Sequence, residues 1–281
     1  MLRFGVRGHD VAGDNFESWV DNIKDLGFCC TQLALKKAIK DFNVDREAMT
    51  PGMALYMKSV FEKKGVDVAV LGCYLNLATP DEEELKETLK TYMTNIRFAA
   101  HLNAGMVGTE TGAINKEYKY EPANHSEEAL QVFIERLKIV VKYAESMGVL
   151  FGIEPVWNHT MYDIKRTRQV LDAVNSPNLV VILDTVNLLN GDIYMKQDDI
   201  IKEAFELIKE EIAVLHIKDF VVEDGKVKSK PMSLGEGILN LPLLMSYAKK
   251  YKPCIHVLLE GSTPDNVKKS VEYMNKVYAE V

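Results

Sequence analysis

Short apolar runs rich in Val, Ile and Leu alternate with longer amphipathic stretches along the whole chain. A strand buried on both faces reads as a near-continuous apolar run, so this alternation predicts βα units and a parallel sheet covered on both sides. Eight strands are predicted: Leu2 to Val6, Cys29 to Leu33, Val66 to Leu71, Met106 to Thr109, Val149 to Glu154, Leu179 to Asp184, Ala213 to Ile217 and Cys254 to Glu260. Helices between them carry start and stop signals. Thr79 and Pro80 precede DEEELKETLKTYMTNIRFAAHL, and Ser126 precedes a stretch that closes on Gly148. Within the latter, Leu130, Phe133, Ile134, Leu137, Val140, Val141 and Tyr143 recur at helical spacing and are expected to lie against the sheet.

Pro177, Pro253 and Pro264 fall at joints between units, no linker divides the chain, and the amphipathic ending TPDNVKKSVEYMNKVYAEV gives the last strand its own helix. The expected fold is α/β: a single (β/α)8 TIM barrel over residues 1–281, with its active site at the C-terminal ends of the strands. An open doubly wound sheet fits less well, because it carries fewer strands and no glycine-rich dinucleotide fingerprint follows the first one.

Composition narrows the partners. The 281 residues, 47% hydrophobic and 27% charged, suffice for the large core of one such barrel. With 34 basic against 41 acidic residues the formal charge is -7, which disfavours a broad footprint on nucleic acid or anionic lipid. No uninterrupted apolar segment reaches the roughly 18 residues of a membrane span, and MLRFGVRGHD lacks the order of a signal peptide, so a cytoplasmic location is expected. Cys29, Cys30, Cys73 and Cys254 form no CxxC pair and are expected to be buried thiols.

Candidate chemistry follows from where the strands stop, since barrel enzymes build their sites at strand ends. The runs VLFGIE, LVVILD, AVLHIKD and IHVLLE place Glu154, Asp184, His216 and Glu260 at the ends of the last four strands. Any one of these could merely cap a helix or pair with a lysine. Four in succession are expected to converge, and three carboxylates crowded together cannot all stay ionised without a cation. One divalent metal ion is therefore expected; oxygen-rich ligation with one nitrogen suits manganese, magnesium, cobalt or zinc.

The blocks GIEPVWNHT, VVILDTVNLLNGD, LHIKDF and PMSLGEGILNLPLL, followed by HVLLEG, resemble the xylose-isomerase-like superfamily of sugar isomerases and epimerases over nearly the whole chain. That resemblance implies that Glu154, Asp184, His216 and Glu260 hold the metal. It also implies that Glu154 and Glu260 move protons on opposite sides of a carbohydrate substrate, and it is compatible with a homo-oligomer, dimer or tetramer. The chemistry is coherent: a ketose carbonyl and its neighbouring hydroxyl held by a cation acidify the adjacent C–H, which a carboxylate can then deprotonate to an enediolate. Return of the proton to the opposite face epimerises the carbon, whereas return to the neighbouring carbon isomerises the sugar.

Further residues are expected around this centre. His9 and Glu110, after the first and fourth strands, and Trp157, Asn158 and His159, in the loop after Glu154, are candidates for substrate contact or for simple cover. Asn187 stands where epimerases resembling this chain often place a histidine, and Glu110 near another such position. Lys218 either meets an anionic substrate group or pairs with Asp219. The turn of Gly235, Glu236 and Gly237 offers amides that could receive a phosphate. A dehydratase acting on a keto-inositol would use the same centre. An endonuclease IV-like DNA repair enzyme would need more histidines than the six present, and a non-catalytic sugar-binding barrel would need a broken metal set.

Overall fold

The computed structural model describes residues 2–281. Eight parallel strands close into a barrel: β1 (Arg3–Arg7), β2 (Cys30–Leu33), β3 (Asp67–Gly72), β4 (Val107–Glu110), β5 (Phe151–Glu154), β6 (Leu179–Asp184), β7 (Ile212–Ile217) and β10 (His256–Leu259), with β10 pairing both β7 and β1. Every predicted strand is present, with ends shifted by at most two residues and Leu179–Asp184 unshifted. A short antiparallel hairpin, β8 (Val221–Glu223) and β9 (Lys226–Lys228), lies between β7 and β10. Its Asp224-Gly225 turn, with both residues at positive φ, is the local signal for it.

Helices α1 (Phe16–Asp25), α2 (Leu35–Ala38), α3 (Pro51–Lys64), α4 (Glu82–Leu102), α5 (Glu127–Met147), α6 (Ile164–Val174), α7 (Gln197–Leu207), α8 (Leu241–Tyr251) and α9 (Val267–Glu280) lie between and after the strands. Helix α5 starts and stops where its caps dictate. The Ser126 side chain accepts from the Ala129 amide, and Gly148 ends the helix in the left-handed region. Its expected face is buried apart from Tyr143, which sits at the margin of the core. For α4 the cap is Asp81, which accepts from the Glu83 and Glu84 amides, while Thr79 donates to Glu84 instead. Among the described residues, no helix is long and apolar enough to cross a membrane.

Inside the barrel, Cys30, Val70, Ile182, Val214 and Leu258 form an apolar plug with Met106. Three strands contribute glycine at this level because there is no room for more. A Cβ on Gly152 would lie 2.6 Å from Met106 Sδ, one on Gly108 2.7 Å from Ile182 Cδ1, and one on Gly5 2.4 Å from Cys30 Sγ. Side chains alternate along a strand, so the residue two positions beyond each plug residue also points inward, one layer higher. Those residues are Arg7, Gln32, Gly72, Glu110, Glu154, Asp184, His216 and Glu260: apart from Gly72, a polar layer seated directly on an apolar one.

One expectation about the cysteines fails. Cys30 and Cys73 are buried and Cys29 is half-buried, but Cys254 is exposed, because β10 begins only at His256 and leaves Cys254 in the preceding turn.

Candidate metal centre

Glu154 ends β5, Asp184 ends β6, His216 is the penultimate residue of β7 and Glu260 follows β10 directly. One side-chain donor atom from each lies within 4.8 Å of the others. All four are withdrawn from solvent: Glu154 is 2% exposed, Asp184 0%, His216 1%, and the Glu260 side chain 9%. His216 stands between two of the carboxylates, its Nδ1 3.4 Å from Glu154 Oε2 and 3.2 Å from Glu260 Oε1.

The donors suit a divalent cation on their own chemistry. Both ring nitrogens of His216 are buried without a hydrogen-bond partner, a costly state for an imidazole unless something electropositive completes it. Three carboxylates gathered at a few ångströms likewise call for a positive charge among them. Burial pushes Asp184 above the usual carboxylate range. Burial also works against the charge on His216, but Glu154 and Glu260 outweigh it and raise its pKa to about 10. For Glu260, the desolvation that would raise it is overcome by Lys218, His216 and Arg7, which hold it well below its ordinary value.

Second contacts fix these groups. Asp184 Oδ1 accepts from the amides of Val186 and Asn187. Asn187 Nδ2 donates to Glu154 Oε1 at 2.7 Å, and its Oδ1 accepts from Lys218 Nζ at 2.7 Å, so the amide bridges a carboxylate and an ammonium. Lys218 Nζ lies 2.7 Å from Asp184 Oδ2 and 3.0 Å from Glu260 Oε2. It therefore pairs with the cluster and not with Asp219. The Asp219 carboxylate is instead consumed by backbone, accepting from the amides of Phe220, Gly235, Gly237 and Leu239.

That network removes the expected phosphate site. The Gly235 and Gly237 amides are spent on Asp219 Oδ2 at 2.8 and 3.0 Å, and the Glu236 amide on the Ser233 carbonyl. A Cβ at Gly237 would sit 2.3 Å from Asp219 Oδ1, which is why the turn needs glycine there.

A cavity of about 790 Å³ opens above the cluster, with Glu154, Glu260, Asn187, Lys218, His9 and Glu110 on its wall. His9 is half-buried, and its Nδ1 has no partner. Glu110 is raised to about 7 by burial and by the neighbouring Glu154 charge, and it accepts a hydrogen bond from Tyr118. Trp157, Asn158 and His159 do not line this cavity. Trp157 packs on Tyr120, with ring centroids 5.3 Å apart, and its carbonyl pairs with His125. The Asn158 carbonyl accepts from Asn124. His159 is buried against Tyr118, and desolvation lowers it to about 4. The loop's backbone is tied on both sides, the Trp157 amide to the Asn187 carbonyl and the Thr160 amide to the Gly112 carbonyl, and His159 Nδ1 lies 3.8 Å from Glu110 Oε2 on the cavity wall.

Three wall residues escaped the sequence reading. Gln32 Nε2 donates to the Tyr74 hydroxyl at 2.9 Å, and that hydroxyl donates to Glu154 Oε2 at 3.3 Å. Arg7 reaches Glu260 Oε2 at 3.5 Å. Counting two residues on from the plug positions of the early strands, as for the late ones, finds Arg7 and Gln32. Tyr74 lies past the end of β3 and carries no such signal.

A closed parallel barrel carrying an acidic, histidine-containing cluster at its strand ends defines the class of protein. The sequence profile of the xylose isomerase-like TIM barrel family matches residues 20–277, and the chain belongs to that family. No curated protein matches it by sequence. Among solved structures, the chain is similar to the 3-keto-D-glucoside 4-epimerase of E. coli (TM-score 0.77, 12% identity, covering 98% of this chain and 100% of that one). It is similar also to a D-tagatose 3-epimerase-like protein (0.75, 18%, 99% and 97%) and to a probable 3-DHS dehydratase from Bacillus anthracis (0.75, 15%, 98% and 99%).

Proposed function

We propose that this chain is a divalent-metal-dependent epimerase of keto sugars, with Glu154 and Glu260 as its acid and base. One observation carries the reading: two carboxylates flank His216 within 3.4 Å and both line the same cavity, so one substrate carbon can meet a carboxyl group on each face. The likeness in fold to proteins described as 3-keto-D-glucoside, D-tagatose and L-ribulose epimerases supports it.

Glu154, Asp184, His216 and Glu260 would hold the cation, which when bound polarises the substrate carbonyl and makes the neighbouring C–H more acidic. One of the two glutamates removes that proton and becomes a carboxylic acid, leaving an enediolate. Lys218, whose ammonium faces the cavity beside Glu260, offers positive charge to the developing oxyanion. The opposite glutamate, protonated, returns a proton to the other face and inverts the carbon. Asn187 and Tyr74 hold Glu154 in place through bonds to its two oxygens. An unphosphorylated sugar fits best, since the Gly235 to Gly237 turn has no free amide for a phosphate.

A dehydratase is the second reading. Glu110 favours it: a carboxyl held near pH 7 on the cavity wall could protonate a departing hydroxyl.

The deciding experiment incubates a panel of ketoses, keto-glycosides and keto-inositols with metal-loaded protein in deuterated water and follows label and mass by NMR and mass spectrometry. Epimerisation shows as deuterium at an inverted carbon without loss of water. Loss of water identifies the dehydratase, and exchange that survives Glu260→Gln would remove that residue as a base.

A further inference from the structure

Gln32 is the penultimate residue of β2 and belongs to the polar layer, only 2% exposed. In the closed barrel β2 stands opposite β6, so Gln32 meets the cavity from the side across from Asp184. Its side chain has little freedom. Gly72 on β3 leaves a gap in the polar layer, which the Gln32 amide and the Tyr74 ring fill: a Cβ on Gly72 would lie 3.0 Å from Tyr74 Cε2 and 3.2 Å from Gln32 Nε2.

The direction of the hydrogen bonds follows from what each group can do. An ionised Glu154 only accepts, so the Tyr74 hydroxyl gives its single proton to Glu154 Oε2, at 3.3 Å. That hydroxyl must then accept from Gln32, at 2.9 Å, which fixes Nε2 toward Tyr74 and leaves Oε1 for another partner. Oε1 is buried and has none. The nearby cations on the wall are committed elsewhere: Arg7 to Asp10 and Glu260, and Lys218 to Asn187, Asp184 and Glu260. His9, just past the neighbouring strand β1, adds a second buried and unpartnered atom, Nδ1, to the same side of the cavity. A buried amide oxygen left unpaired costs the protein free energy, which a ligand recovers by bringing a donor.

We infer that Gln32 determines specificity: its Oε1 accepts a hydrogen bond from one free hydroxyl of the bound sugar, at the end remote from Asp184, while its Nε2 keeps Tyr74 aimed at Glu154. This deepens the epimerase reading and rests on it for the identity of the ligand as a sugar. An amide oxygen only accepts, so a carboxylate, a phosphate or an ether oxygen at that place leaves it unpaired. The same side chain thus reads a distant hydroxyl and steadies a carboxylate that moves the proton.

Titration calorimetry with manganese-loaded protein tests the contact without any reaction. The probes are the four D-ketohexoses and their analogues lacking the hydroxyl at C4, C5 or C6. For a ketohexose that binds, one of its three analogues should bind wild type about 10-fold more weakly than the parent. Gln32→Met should weaken the parent by the same factor and leave that analogue unchanged. Gln32→Glu keeps an oxygen for the hydroxyl but cannot donate to Tyr74, so it should retain the discrimination in binding while kcat for solvent deuterium exchange falls and KM holds. Equal affinity of wild type for parents and analogues, or no affinity for any ketohexose, would overturn the contact even if neither variant folds. So would a loss on Gln32→Met that is as large for every analogue as for its parent. Discrimination in binding with no deuterium exchange on any probe keeps the Gln32 contact and removes the epimerase reading; exchange without discrimination does the reverse.

Discussion

Lys218 Nζ lies 2.7 Å from Asp184 Oδ2 inside the acidic cluster, where Asp184 is fully buried. The ammonium offsets part of the charge that three carboxylates concentrate there, and it does so from the cavity side, beside Glu260. In the metal-free protein Lys218 thus partly neutralises the cluster from a position on the cavity wall.

Removing that charge should therefore cost the metal-free protein more than the loaded one. Lys218→Met leaves buried carboxylates less compensated, and loss of one partner of such a pair costs about 3–5 kcal/mol. Thermal melts with chelator should show the variant well below wild type. Added manganese or zinc should close most of the gap; an equal deficit with and without metal would show that Lys218 does not share its role with a cation.

Metal binding itself is directly measurable. Elemental analysis of protein purified without chelator is expected to find close to one divalent ion per chain. His216→Asn and Asp184→Asn should each lower that content sharply with the circular dichroism spectrum retained. A ligand at 100 times its dissociation constant stabilises the native state by about 2.7 kcal/mol, so wild type should melt higher with metal and His216→Asn should not respond.

Glu110 gives a pH dependence with a definite sign. Its folded pKa, about 7, is raised above the ordinary carboxylate value by burial and by Glu154. The folded protein then binds a proton that the unfolded chain has released. This contribution to stability is fully present below the unfolded pKa and is lost as pH rises through about 7. In denaturant titrations of chelated protein, Glu110→Gln should flatten the decline between about pH 4.5 and 7. An unchanged slope would assign the decline to other groups.

Asp219 is a structural anchor. Its carboxylate collects four backbone amides from the segment between β7 and α8. Asp219→Ala strips the partner from all of them, at about 1–3 kcal/mol for each donor that stays buried. The variant should melt markedly lower and show faster amide exchange at Gly235, Gly237 and Leu239. Its first-order effect is on that loop, so metal content should fall less than in His216→Asn.

The sequence by itself determined the strands, their number and the four converging side chains. Apolar runs such as VVILD and HVLLE are long enough to demand burial on both faces, and a charge at their ends has only the barrel mouth to occupy. Tertiary structure decided everything that depends on which way a loop turns. Trp157 and His159 follow Glu154 closely in sequence yet do not line the cavity: Trp157 packs on Tyr120, and His159 is buried against Tyr118 and Glu110. Gly235 and Gly237 look like an anion site until Asp219, 18 residues before the second of them, takes their amides. Tyr74 reaches Glu154 across 80 residues of chain with nothing local to mark it. Strand-end positions follow a two-residue period that any reader of the chain can count. Loop hydrogen bonds are settled by partners far away in sequence, and only the folded chain brings those partners together.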